Sequence, residues 1–318
     1  MAVRLSMATA ERELMKIGIS VASAYNVADV RQGARQMIDR TRAAARANLD
    51  SLFVGDHHVV PTPYYQNTPM LGRMLAEWHN QPAGVLLLLP LWNPVLAAEQ
   101  VATLACINQD RFILQCGLGR DERQFKAMGA NIRTRPSAFE QSLTSMQALW
   151  RGESVSLDGR WKFQAAKISP LPPEPIEVWI GASAAVAIDR AARMGDVWLA
   201  DPGLTLNGAE AALAQYHLAL QKHQIKLPTT IAIRRDIYVA ESSAEAAELR
   251  ASLGNNYRGF DPQALIIGDA STVAEQFQAF EKLGYTDIIV RNLHPDPACA
   301  IASTDRLKQV KVMVDNFF

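Results

Sequence analysis

Cysteine is scarce in this sequence of 318 residues: Cys106, Cys116 and Cys299 stand far apart, with neither CxxC nor zinc-ligand spacing. That excludes a disulfide framework and makes a reducing cytoplasm the expected location. An excess of charge of one sign is also missing. Lys plus Arg and Asp plus Glu both number 32, so no net field draws in nucleic acid or an anionic membrane, and no like-charge run forms a binding tail. The partner expected is a small molecule. Long apolar runs are absent as well, since the longest, Ala83 to Trp92, is about half of the roughly 20 residues that span a bilayer. The first residues mix Arg4, Glu11, Arg12 and Glu13 with small side chains and lack the apolar stretch of a signal peptide. They read as an N-terminal extension, 1–15, ahead of a single domain, 16–318, because no repeat, low-complexity tract or linker divides the rest.

What is present is an ordinary globular composition, 49% apolar and 20% charged, with short β-branched runs alternating with longer helical patterns. This is the sequence form of repeated βα units and a parallel sheet. The candidate strands are Ile17–Val21, Leu52–Gly55, Val85–Leu89, Phe112–Gln115, Val178–Ile180, Val197–Leu199, Ile231–Val239 and Ile288–Val290. Their spacing suits a closed (β/α)8 barrel as well as an open sheet. Phe139, Leu143, Met146 and Trp150 mark a helix opened by Pro136 and closed by Gly152. Ala184, Ala187, Ile188 and Ala191 mark another, with Ser183 placed to cap it and Gly195 to end it. Two stretches break the alternation. After the fourth strand and its helix, Val155 and Leu157 face Trp161 and Phe163 across Asp158-Gly159, predicting an inserted hairpin. After the seventh strand, Glu241 to Asp269 forms a second insertion, punctuated by Gly254-Asn255-Asn256 and Gly259.

Chemistry concentrates where strands end. Asp56-His57-His58 follows the second strand, at the C-terminal face where barrel enzymes work. In extended backbone Asp56 and His58 point one way and His57 the other, so one histidine has a structural task. Imidazole and carboxylate are also metal ligands, but the remaining histidines show no paired spacing that would complete a set. The turn Cys116-Gly117-Leu118-Gly119-Arg120 ends the fourth strand and brings bare backbone to the same face. The fifth strand runs into Gly181-Ala182-Ser183 and a helix start, where N–H groups, a hydroxyl and the positive dipole end suit a phosphate, or where Ser183 serves only as a cap.

Taken in order, these segments resemble the luciferase-like flavin-dependent oxidoreductases, which include bacterial luciferase, related monooxygenases and deazaflavin-dependent reductases. The resemblance runs from about Ile17 to Arg291 and rests on Ser51 to His58, Leu87 to Leu91 with Asn93-Pro94, Phe112 to Gly119, Leu149 to Gly152, Val178 to Ser183 and Arg190 to Asp196. It implies an α/β fold, a (β/α)8 TIM barrel with insertions after strands four and seven, holding a flavin-type ring at its mouth. It implies further that backbone at Val85 and Leu86, often joined by a non-prolyl cis peptide in this family, lies against the ring. Gly117, Gly119 and Arg120 would border the ring, and Gly181, Ala182 and Ser183 would hold the cofactor phosphate. Asp56, His57 and His58 become the catalytic candidates, with Tyr64, Tyr65 and Trp92 beside the substrate. A homodimer is also implied.

The resemblance leaves two chemistries. One is oxygenation by reduced FMN, delivered by a separate flavin reductase, with a histidine handling the proton. The other is hydride transfer by a deazaflavin, coenzyme F420. From outside the family come a metal-dependent barrel hydrolase built on Asp56, His57 and His58, and a flavin-binding barrel without catalysis.

Overall fold

The computed structural model describes residues 14–79, 81–255 and 257–316. Most of the expected extension, residues 1–13, lies outside the described residues, as does Asn256 of the second insertion. Leu14 is exposed, whereas Met15 is already buried in the core.

The eight candidate strands of the sequence all belong to one parallel ring, and the expected hairpin stands outside it. The strands are β1 (Lys16–Val21), β2 (Ser51–Val54), β3 (Ala83–Leu88), β4 (Phe112–Gly117), the hairpin β5 (Val155–Asp158) and β6 (Lys162–Ala166), β7 (Glu177–Ala182), β8 (Val197–Ala200), β9 (Ala232–Val239), β10 (Ile266–Gly268) and β11 (Asp287–Asn292). β1 to β4 pair in succession, then β4 with β7, β7 with β8, β9 with β11 and β11 with β1, all parallel. Leu199↔Ala232 and Ala200↔Ile233 join β8 to β9 and close the ring. The fold is thus an eight-stranded TIM barrel, with the closed alternative realised over the open sheet. β9 runs beyond the end of β8, and β10 takes the free edge at Ile237–Val239.

The surrounding helices are α1 (Val30–Arg46), α2 (Asn67–Met74), α3 (Pro94–Ile107), α4 (Glu122–Ala127), α5 (Arg135–Trp150), α6 (Ala185–Met194), α7 (Leu206–Lys222), α8 (Ser243–Leu253), α9 (Ala270–Leu283) and α10 (Pro297–Asp315). Most start on a side chain that accepts from the first turn: Asn93 for α3, Asp121 for α4, Thr205 for α7, Asp269 for α9 and Asp296 for α10. Among the described residues no helix is long and apolar enough to cross a membrane.

Strand periodicity sends alternate side chains into the barrel. Phe53, Ile113, Trp179, Val197, Leu199, Ala232 and Ile289 form an apolar plug there, with the Phe53 and Trp179 rings 5.4 Å apart. Gly84 makes room for it, because a Cβ at that position would stand 2.2 Å from the Ile113 carbonyl oxygen. The plug fills the barrel below its C-terminal face.

Both insertions serve that face. The hairpin is where the sequence places it, with Leu157 opposite Phe163, and Arg160 beside its turn donates to the Pro90 and Gly129 carbonyls at the rim. The second insertion carries α8 and β10 and buries Ala246, Leu249, Leu265 and Ile267 against Tyr238 and Leu293.

Candidate active site

Asp56 leaves β2 with its side chain fully buried. One oxygen, Oδ2, accepts from the Leu88 backbone N–H at 2.7 Å and from Trp92 Nε1 at 2.8 Å. These bonds tie the ends of β2 and β3 together and aim the other oxygen, Oδ1, at His58 Nε2, 3.1 Å away. The two atoms are off hydrogen-bond alignment and have no other partner, although both are buried. A small ring rotation would pair them. The His58 ring also stacks at 5.7 Å against Trp92, so Trp92 supports both members of this pair.

His57 turns the other way, as alternation requires. Its Nδ1 lies 3.3 Å from Nε2 of Gln124, a buried amide on α4 that also donates to the His58 carbonyl at 3.0 Å. That second bond fixes the amide orientation, so an N–H faces Nδ1 and leaves the proton of the neutral ring on Nε2. Burial lowers the His57 pKa, outweighing the nearby Asp121 and Asp56 carboxylates. His57 is therefore a neutral imidazole at physiological pH. With His57 directed at Gln124 and Asp56 at its two N–H donors, the three side chains do not converge as a metal set. Among the described residues, the ligand-type side chains that do converge, His294, Asp296 and Cys299, are engaged at the start of α10, where His294 Nδ1 accepts from the Asp296 N–H and Asp296 caps Cys299.

The two tyrosines separate. Tyr64 packs its ring 5.9 Å from His57, and its hydroxyl lies near Gly55 at the mouth. Burial pushes its phenol up to about 12. Tyr65 faces outward instead, lying over Gly33 of α1 and donating to the Val30 carbonyl, so it is not at the mouth.

Above the apolar plug, three inward positions on the arc of the ring from β2 to β7 are glycines: Gly55 after β2, Gly117 on β4 and Gly181 on β7. A Cβ there would come no closer than 3.4 Å to the Tyr64 hydroxyl, 3.7 Å to Leu88 and 3.6 Å to the Cys116 carbonyl oxygen. Unlike Gly84, they are not required by contacts within the chain. They leave a bare bed at the mouth, with Asp56, His57 and His58 following Gly55 at its edge. Gly119, with φ +72°, turns the chain away next to it, and Arg120 is exposed on that turn. Leu86 faces the bed, while Val85 is buried on the outer side against the helices, so only its backbone is near. The Val85–Leu86 bond is not cis: both residues keep regular register with Leu114 and Gln115, and the cis peptide among the described residues is Ser169–Pro170.

The expected capping role of Ser183 is corrected. β7 continues through Ala182, whose carbonyl accepts from Trp198 Nε1 at 2.9 Å, and the helix cap falls on Ala184, which offers no side-chain bond. Ser183 is exposed just before the first turn of α6, where the open N–H groups of a helix start lie.

Sequence reasoning passed over four more groups at this face. Gln124 is set by a tertiary contact that no local pattern reveals. Arg234, Asp236 and Arg291 were readable in principle, as charges at inward positions of otherwise apolar strands. A hollow of about 270 Å³ beside Ala105, Phe112 and Pro173 lies at the opposite end of β4, away from all these groups.

Comparison with known proteins agrees with this architecture. The chain is 29% identical over 179 residues to an F420-dependent glucose-6-phosphate dehydrogenase of Beutenbergia cavernae, covering 53% of each protein. It spans about half the length of the curated relatives it matches. Among solved structures, the FMN complex of a type II Baeyer-Villiger monooxygenase component of Pseudomonas putida superposes with a TM-score of 0.78 at 17% identity, covering 93% of this chain and 97% of that one. An F420-dependent secondary alcohol dehydrogenase holding an F420-acetone adduct superposes with a TM-score of 0.77 at 16% identity, covering 95% and 99%. The model of the luciferase-like monooxygenase family matches residues 15–264. The chain therefore belongs to the luciferase-like monooxygenase family.

Proposed function

We propose that this protein is an oxidoreductase that uses a deazaflavin of the F420 type to move a hydride between the cofactor and a hydroxyl-bearing carbon. The observation that carries the reading is the buried Asp56–His58 pair beside the glycine bed. The residues present fit a planar ring: Gly55, Gly117 and Gly181 leave space that the chain itself does not fill, and Asp56 Oδ1 and His58 Nε2 are buried without a well-aligned partner. The first turn of α6 would hold the phosphate. Bound there, a deazaflavin supplies a two-electron acceptor that does not activate oxygen.

The chain's own contribution is proton handling. Leu88 N–H and Trp92 Nε1 hold the carboxylate of Asp56 still, and its free oxygen keeps the proton of His58 on Nε2. His58 Nδ1 is then the acceptor nitrogen for the hydroxyl proton of the substrate. His57, neutral and held by Gln124, offers its Nε2–H as a donor to an oxygen in the mouth. The F420-dependent curated relatives support this reading over oxygenation.

A second reading, oxygenation by reduced FMN, is favoured by the two insertions, which bring Arg160 and Arg258 over the mouth and would keep it dry. The two readings part under anaerobic conditions. Purified protein with oxidised F420 and a panel of small alcohols and hydroxy acids is expected to bleach the deazaflavin without oxygen. Oxygen-dependent turnover with reduced FMN, and none with F420, would overturn the proposal.

A further inference from the structure

On β9 and β11 the inward positions at the mouth are charged. Asp236 stands in register beside Arg291 of β11, and Arg234 precedes Asp236 by two residues on the same face. Asp236 is completely buried and contacts Arg258 of the second insertion at 2.7 Å and Arg234 at 3.3 Å. Arg258 adopts φ +53° to make that reach, a conformation that costs a non-glycine residue energy. One carboxylate thus faces three guanidinium groups. Its two close contacts leave Arg291 with no hydrogen bond or ion pair among the described residues, and Arg234 Nε is buried without a partner. A guanidinium cannot discharge itself by losing a proton in the accessible pH range. Such an excess at a barrel mouth is costly unless something negative answers it.

We infer that Arg234 and Arg291 form an anion seat for the substrate, so that the substrate carries a carboxylate or a phosphate in addition to the carbon that reacts. Arg presents a planar fork suited to either group. The seat lies across β1 from the Asp56–His58 pair, and Tyr64 stands within the fields of both: after burial, its phenol is influenced by Asp56 on one side and by Arg291 and Arg234 on the other. A substrate bound through its anion would present its hydroxyl carbon toward His58. Asp236 and Arg258 then hold Arg234 in place and fasten the insertion over the seat. This inference rests on the proposed function for the identity of the reacting group, but the seat itself does not require any cofactor.

The test uses the protein without added cofactor. Calorimetric titration with inorganic phosphate and, separately, with a short monocarboxylate is expected to show saturable one-to-one binding of at least one. Phosphate binding alone assigns a phosphoester substrate, and carboxylate binding alone an organic acid. Arg291→Met should weaken that binding at least tenfold while leaving the unfolding midpoint unchanged; Arg234→Gln should do the same, and Arg291→Met suffices if the Gln variant does not fold. Binding of equal strength in Arg291→Met would overturn the seat, because the anion would then sit elsewhere, such as at the start of α6. Saturable binding of neither anion would overturn it as well. Deazaflavin binding is measured on the same samples, so an absent seat with intact cofactor binding refutes this inference alone.

Discussion

Asp287 provides a stability test that needs no substrate. It lies inside the barrel at the N-terminal end, 3% exposed, beside the Arg111–Glu177 ion pair. Burial raises its pKa to about 6, and the hydrogen bond from Thr286, with Lys16 and Arg111 nearby, recovers only part of the shift. Below the ordinary carboxyl value of 3.8 both folded and unfolded chains hold the proton, and the residue is neutral in its effect. Between 3.8 and about 6 the unfolded chain ionises while the folded chain keeps its proton, so stability falls as pH rises. Above about 6 the loss is complete and amounts to about 3 kcal/mol. Asp287→Asn keeps an acceptor for Thr286 and never ionises. Relative to the wild type, its unfolding midpoint should be unchanged at about pH 4 and higher by up to about 6 °C at about pH 8. Other titrating groups are common to both proteins and cancel in the difference. Thermal unfolding followed by circular dichroism across that range reads the effect. A midpoint difference that does not vary with pH would refute the reasoning, because Asp287 would then ionise as an ordinary carboxyl.

Three further outcomes follow from the packing and the proton pair. Gly84→Ala would press a Cβ against the Ile113 carbonyl and the Phe53 ring inside the plug; urea unfolding should show a loss of about 1–3 kcal/mol or more, and a change within about 0.5 kcal/mol would contradict it. Asp56→Asn would turn an amide N–H toward His58 and place the ring proton on the wrong nitrogen, lowering kcat by about 10²–10⁴-fold with little change in cofactor affinity; an undiminished kcat would exclude the pair from proton handling. Burial pushes the Cys116 thiol far above the ordinary range, while Cys106 is exposed, so iodoacetamide should label Cys106 and spare Cys116 in the folded protein, as read by peptide mass spectrometry.

The ring strands were legible because barrel strands buried on both faces are short apolar runs, and Val178-Trp179-Ile180 or Ile288 to Val290 need no tertiary knowledge to recognise. β10 was not, since Ile266 to Gly268 forms a strand only because β9 outruns β8 and leaves an edge to cover. At the site, alternation correctly separated His57 from Asp56 and His58, a purely local consequence of extended backbone. The same rule separates Tyr64 from Tyr65 but does not say which faces the mouth; the packing of Tyr65 over Gly33 decides that. Ser183 looked like a cap because the pattern of α6 begins near it, and the extension of β7 through Ala182 moves the cap to Ala184. Trp92, a substrate contact by resemblance, also holds Asp56 through its indole N–H, a pairing across 36 residues that spacing does not disclose.

The central claim is that the glycine bed beside Asp56 and His58 receives a flavin-type ring. Fluorescence titration of F420 and of FMN into the wild type and into Gly181→Val measures this directly. Valine at Gly181 reaches into space that the chain leaves open, so the variant should fold as the wild type does. The account predicts micromolar or tighter F420 binding to the wild type and at least a tenfold loss in Gly181→Val. Binding of neither cofactor to the wild type, or equal binding to a folded Gly181→Val variant, would contradict it.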